Sequence, residues 1–340
     1  MLDVSTDREG PAAQMTETSY PEGDRPAGRG GPVCFVFLDG VGLGPASGSN
    51  PFVRASMPAL RRLLDGPLVL GPPLVREQLL FLPMDACLGV AGLPQSATGQ
   101  TALFTGLNAP ALVGAHVPAH PSHALRDVIA EHSILKRATE MGLRATFANA
   151  YTDSYWRRAA HGKLRHSAST LTAGAALLRF RTMDDLAQGR AIYWDITHKV
   201  MHLVSGRKAA RVQPEESGRR LARLAASHDL VLFESFLTDL AGHRRLPWPT
   251  EEVLSLIDRF LAGLLSTLAD GSTLVLASDH GNVEDSSTRS HTANPVPLLV
   301  VGPGATAFRG ARAITDVAPS ILRWLGGWGW QRNESPDQHG

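Results

Sequence analysis

The sequence is short of cysteine, of long apolar runs and of net charge, and each shortage removes a class of protein. Only Cys34 and Cys87 occur in 340 residues, and both stand in segments that read as buried. They supply neither a disulfide framework nor a thiolate metal site, so any bound metal must be held by His, Asp or Glu. No stretch approaches the roughly 18 uninterrupted apolar residues of a membrane-spanning helix, and the N-terminus has no apolar segment resembling a secretion signal. The expectation is a cytoplasmic protein without a membrane partner. Lys plus Arg number 33 against 32 Asp plus Glu, a formal net charge of +1, whereas a dedicated nucleic-acid binder would show a basic excess. What the chain does have is apolar content: at 43% apolar and 19% charged it can bury one large core, or one core plus a smaller lobe.

Residues 1–31 carry five Gly, three Pro, six acidic and three basic residues with almost no apolar periodicity. Such a segment cannot offset its ordering entropy and reads as a disordered leader. Its acid content argues against a mitochondrial presequence. Residues 326–340 read as a similar flexible tail. Folded structure is expected from Pro32, where the apolar run Val33 to Leu38 ends in Asp39-Gly40. Runs of this kind fit strands buried on both faces. Leu230 to Leu237, ending near Asp239, Thr273 to Ala277, ending at Asp279-His280, and Pro297 to Val301 match it. Helical patterns lie between them: Leu60, Leu63 and Leu64 behind Pro58, Val253 to Leu268 behind Thr250 as N-cap, and Val317 to Leu325. The fold class expected is α/β, a mostly parallel sheet with helices on both faces. Ligands of such sheets bind beyond the carboxyl ends of the strands, where three of these four runs place an Asp.

Charge divides the chain. Residues 107–228 carry a net +9, while 32–106 and 229–325 together carry −4. This suggests a basic, smaller α/β cap lobe inserted into an acidic catalytic core, with positive potential to attract an anionic substrate across a cleft. A solvated arginine-rich surface explains the charge equally well.

Taken singly, the candidate residues have ordinary readings. Asp39 and Asp279 fit turns, Asp239 and His243 fit surface polars, and His291 fits a satisfied buried histidine. Ser96 fits the N-cap of the apolar helix that follows it. Together, three carboxylates, three imidazoles and a hydroxyl supply enough oxygen and nitrogen donors for two divalent ions. Such ligands suit Zn2+ or Mn2+, and a paired-ion site clamps the attacking and leaving oxygens of an in-line displacement. A serine at a helix N-terminus would also aim free backbone N–H groups at an anion.

The strings Phe37-Leu38-Asp39-Gly40-Val41-Gly42, Thr238-Asp239-Leu240-Ala241-Gly242-His243, Ser278-Asp279-His280-Gly281-Asn282 and His291-Thr292-Ala293-Asn294-Pro295-Val296-Pro297 closely resemble the alkaline phosphatase superfamily. The nearest branch is the cofactor-independent phosphoglycerate mutase and phosphopentomutase group. Asn50 and Thr315 to Pro319 are similar to that family's early and late core signatures. The resemblance implies that Asp239, His243 and His291 bind one metal and that Asp39, Asp279, His280 and the Ser96 oxygen bind the other. It makes Ser96 the nucleophile, three residues before Gly99, with Thr98 the competing hydroxyl. Where those mutases have His after that Gly, this chain has Gln100. The sulfatase branch is set aside, because its C/S-x-P-x-R motif is not supplied here. Phosphoglycerate mutases of this type carry a much larger insertion than 107–228, and phosphopentomutases one of comparable size.

The function expected is a two-metal phosphotransfer on a small phosphate ester through a phosphoserine, as a phosphomutase or a phosphatase. Arg157, Arg158 and Arg181 are the candidate substrate-binding cations, and Tyr151, Tyr155 and Trp156 line either a cleft or a core. The alternatives are a phosphodiesterase of the same superfamily and a non-catalytic, metal-stabilised module that holds an anionic partner through its basic segment.

Overall fold

A computed structural model describes residues 29–201 and 210–326. The leader and tail expected from composition lie outside the described residues, except for 29–31 and Gly326. Order begins before Pro32: Gly30 N–H donates to the Trp324 carbonyl at 3.0 Å, and the Trp324 indole N–H donates to the Gly31 carbonyl at 2.9 Å.

Seven strands form one sheet: β1 (Val33–Leu38), β2 (Leu74–Val75), β3 (Leu79–Met84), β4 (Ala145–Phe147), β5 (Leu230–Ser235), β6 (Thr273–Ala277) and β7 (Val296–Val301). Their order is β2-β3-β7-β6-β1-β5-β4. The block β6-β1-β5-β4 is parallel, and β7 and β2 run against it, so the sheet is mostly parallel, as expected. The Pro297 to Val301 run is a strand, but an antiparallel one. An apolar run buried on both faces looks the same in either direction, so pattern alone does not fix its sense. Every residue of β1 is buried. Its odd and even positions feed two separate apolar clusters, one per face, the period-two consequence of a pleated strand.

Helices cover both faces. On one lies the helix Ser96–Thr105, whose Phe104 meets Phe35 and Phe37 edge to face at 6.0 and 5.3 Å between ring centroids. Each such pair contributes about 0.5–1.5 kcal/mol beyond area burial and fixes the helix over β1. The opposite face carries Pro214–Ala226 and Thr250–Leu265. Thr250 is the first residue of its helix, not the cap, because Pro249 holds the cap position.

Segment 107–228 contributes β4 to the parallel edge of this sheet. Its Leu125, Ile129, Ile134 and Leu135 are buried in the same apolar cluster as Phe35 and Phe37. Among the described residues no helix is long and apolar enough to cross a membrane.

Candidate metal centre

Parallel register brings the carboxyl ends of β6, β1 and β5 level. Leu38 pairs with Ser235 and Phe37 with Ala277, so Asp39 and Asp279 leave adjacent strands at the same height. Asp239 is not at a strand end. After β5 the chain turns at Phe236 into a short helix, Leu237–Gly242, and Asp239 and the capping His243 lie on one side of it. Two glycines make the convergence possible. Gly40 has φ +71°, and a Cβ there would lie 2.9 Å from Asp239 Oδ1. A Cβ on Gly99 would lie 2.7 Å from the Asp279 carbonyl oxygen, so only glycine lets the Ser96 helix sit against that turn.

All seven residues expected at the site are brought together, with His280 at the seam. Its Nε2 lies 3.2 Å from Asp39 Oδ1, 3.6 Å from Asp279 Oδ2 and 3.0 Å from Ser96 Oγ. Its ring stacks on His291 at 3.7 Å between centroids. Asp239 Oδ1 is 3.3 Å from His243 Nε2 and 3.8 Å from His291 Nε2. Ligand atoms of Asp39, Asp279 and His280 lie within 4.8 Å of one another, as do those of Asp239, His280 and His291. His280 therefore reaches both groups, and the division into two separate ligand sets expected from the motifs is less sharp in space.

The surroundings fit cations. Asp39 Oδ1 and Asp279 Oδ2 are buried without a hydrogen-bond partner, and an unmatched buried carboxylate oxygen is costly unless a cation meets it. Burial, and then the Asp279 charge, pushes the Asp39 carboxyl well above the ordinary range. Asp279 is raised too, chiefly by burial. Burial works against a charged His280 ring, yet Asp279, Asp39 and Asp239 together push it up to about 10. His291 is pushed down to about 4 by burial and by His280. The Nδ1 atoms of His291 and His243 meet the carbonyls of Pro94 and Arg289 at 2.9 and 2.7 Å. Those contacts leave each Nε2 as the ligand atom, the usual outer support of a metal-binding histidine.

The hydroxyls are distinguished by their partners. Ser96 is the first residue of its helix and Gln95 the cap; it is part-buried, and its Oγ faces His280. Thr98 is fully buried, donates to the Gln95 carbonyl at 3.2 Å and accepts from Val117 N–H at 3.2 Å. Two of the free amides expected at this helix start are engaged: Ala97 and Thr98 N–H both point to the Val117 carbonyl, at 3.1 and 3.4 Å. Gln100 donates to Asp39 Oδ2 at 3.3 Å, which holds that carboxylate with Oδ1 turned to His280.

Glu284 and Asn282 were not singled out from the sequence. Buried Glu284 accepts from Gly42 N–H at 3.0 Å, Asn282 N–H at 2.7 Å and the Asn294 side chain at 3.0 Å, tying three motif loops together. The Asn282 side chain donates to Asp239 Oδ1 at 2.7 Å. The available signal was a carboxylate four residues past His280 inside an otherwise small and polar loop.

The expected substrate arginines separate. Arg158 lines a cavity beside the site, as do Tyr151 and Tyr155, whereas Trp156 packs on Tyr151 and Phe180. Arg157 is exposed on the helix Asp153–Ala160 and does not line that cavity. Arg181 is 5% exposed and donates to the Arg190 carbonyl at 2.7 Å and to Thr146 Oγ1 at 2.9 Å. It holds the edge of β4 in place.

A profile described as the Metalloenzyme superfamily matches residues 31–327. Among curated proteins, the 2,3-bisphosphoglycerate-independent phosphoglycerate mutase of Listeria monocytogenes is 32% identical over 106 residues, 29% of this chain and 21% of that protein. The enzyme of the same name from Desulforudis audaxviator is 34% identical over 128 residues, 34% of this chain and 25% of that protein. The chain thus spans a quarter or less of the length of these relatives. Among solved structures, the PH0037 protein of Pyrococcus horikoshii superposes with TM-score 0.52 at 13% identity, over 87% of this chain and 97% of that one, a likeness of fold alone.

Proposed function

Because the chain belongs to the Metalloenzyme superfamily, we propose that it is a two-metal phosphotransfer enzyme that moves a phosphoryl group from a small phosphate ester through a phosphoserine on Ser96. Asp39, Asp279, His280 and Ser96 would hold one ion, and Asp239, His243 and His291 the other, with His280 near enough to serve both. Mn2+ or Zn2+ fits the oxygen and nitrogen donors. Bound divalent ions supply Lewis acidity to the phosphoryl oxygens and lower the pKa of a coordinated hydroxyl.

The chain's own residues do the rest. The helix fixes Ser96 Oγ, which forms a bond to phosphorus as the ester P–O bond breaks and the leaving alcohol takes a proton. A second acceptor then removes the phosphoryl group from Ser96. Water as acceptor makes the enzyme a phosphatase, and a hydroxyl of the bound substrate makes it a mutase. Gln100 and Asn282 keep Asp39 and Asp239 in register. With the Ala97 and Thr98 amides engaged by Val117, phosphoryl charge would be left chiefly to side-chain cations and to the ions held by these ligands. We place the reaction in the cytoplasm.

The observation that carries this reading is Ser96 Oγ, part-buried and 3.0 Å from His280 Nε2, beside a Thr98 hydroxyl already used twice. Protein reconstituted with Mn2+ or Zn2+ should hydrolyse p-nitrophenyl phosphate. Ser96→Ala should lower kcat at least about a thousandfold with two metals still bound by elemental analysis, and mass spectrometry should find phosphate on the Ser96 peptide. Undiminished turnover by Ser96→Ala would end the covalent mechanism.

A further inference from the structure

The parallel block has a fourth carboxyl end. The metal ligands gather beyond β6, β1 and β5, and an open cavity of about 930 Å3 lies beyond β5 and β4. Neighbouring strands are about 4.8 Å apart, so the cavity begins one strand over from the acid cluster. Its wall includes Phe236, which caps the helix that carries Asp239.

Its floor holds an anomaly. Glu234 pairs with Phe37 in the heart of the sheet and is 2% exposed, inside a strand that is otherwise almost entirely apolar. By period two its side chain leaves the sheet on the face of Leu230 and Leu232, the face on which the Ser96 helix packs. Its Oε2 is buried with no hydrogen-bond partner. Burial, opposed by Ser169 and reinforced by Asp279, raises its carboxyl to about 8, so near neutral pH it presents both a donor and an acceptor. A buried polar group with a free valence is expected where a ligand completes it.

The walls are preset. Tyr151 Oη meets Thr170 Oγ1 at 2.7 Å and Tyr155 Oη meets His166 Nδ1 at 2.8 Å, fixing the two ring planes that line the space. At the mouth stand Arg158, Lys163 and Arg165, all exposed, and among the described residues none of the three has an ion pair with an acid. Three uncompensated cations around one opening attract an anion.

We propose that this cavity is the specificity pocket for the alcohol part of the phosphate ester: a hydroxyl-bearing, sugar-sized body that hydrogen-bonds Glu234 and carries a second anionic group to Arg158, Lys163 and Arg165. The inference rests on the phosphotransfer reading of the metal centre and adds what that centre acts on. A volume near the upper end of the roughly 300–1,000 Å3 usual for small-molecule pockets is far more than a three-carbon ester fills.

The test pairs two sugar phosphates that differ in the second anion. With metal-loaded protein, kcat/KM for glucose 1,6-bisphosphate should exceed that for glucose 6-phosphate at least about tenfold. Lys163→Ala with Arg165→Ala, both on the surface, should bring that ratio close to one. Glu234→Gln should lower kcat/KM for both sugar phosphates relative to p-nitrophenyl phosphate, and Glu234→Leu should lower it further. Titration calorimetry of metal-loaded Ser96→Ala protein should show glucose 1,6-bisphosphate binding more tightly than inorganic phosphate, with the advantage lost in the Lys163→Ala/Arg165→Ala background. Equal kcat/KM for the two sugars, or binding no tighter than phosphate, overturns the pocket. Absent p-nitrophenyl phosphate turnover strikes the phosphotransfer reading instead, while the calorimetric arm still decides the pocket by itself.

Discussion

The strand ends beyond β6 and β1 concentrate acid against the imidazole of His280 alone, whereas segment 107–228 concentrates cation with half as much acid, and a buried aspartate can behave oppositely in the two. Asp39 is raised by burial and by the Asp279 charge, and Asp279 by burial and by the Asp239 charge. Asp185 is buried as well, yet the Thr182 backbone, Arg190 and Arg179 outweigh burial and push it down to about 2. One region is built around charge it does not neutralise by itself. The other neutralises its buried Asp185 with two arginines and leaves Arg158, Lys163 and Arg165 lining a cavity.

The largest expected effect breaks that contrast on the acidic side. Mn2+ at a thousandfold excess over its Kd should stabilise the protein by about 4 kcal/mol. Asp39→Asn with Asp279→Asn should abolish that gain and raise the stability of the chelator-treated protein, because two buried like charges are gone. Urea unfolding with and without chelator measures both. A double variant less stable than its parent in chelator would show that these carboxylates are compensated without metal. Next comes Gly99→Val, which forces a side chain against the Asp279 carbonyl. It should cost about 1–3 kcal/mol and reduce kcat far more than KM, since the Ser96 helix is displaced; unfolding and steady-state kinetics of one preparation test this. The smallest effect sharpens the other side. With its carboxyl lowered, Asp185 contributes stability that is present above the usual carboxylate range and lost as pH falls through about 2. Asp185→Asn should therefore cost about 1–2 kcal/mol at pH 7 and almost nothing near pH 2. Thermal unfolding at the two pH values gives the difference, and a penalty independent of pH would count against the Arg179 and Arg190 pairing.

Sequence revealed the parallel core because β1, β5 and β6 are buried on both faces, which compresses each into a continuous apolar word. It missed β4, whose three residues are too few for any pattern, and β3, where Pro83 interrupts the run. Asp39 and Asp279 were legible because a strand that stops at an acid in an α/β sheet points to the ligand edge. The distinct roles of Ser96 and Thr98 were not, since both stand at the same helix start and only Val117, about twenty residues on, separates them. Glu234 was hidden for the opposite reason. It lies within a strand that pattern correctly identifies, and the pattern gives no cause to ask what an acid is doing there.

Val117 also joins two places that chemistry would otherwise treat separately. Its carbonyl and amide grip the first turn of the serine helix, and three residues later His120 forms part of the cavity wall. The strip that joins them is four residues long, 117–120. On the phosphoserine reading, the serine helix and the cavity wall are therefore expected to answer together to whatever the cavity holds.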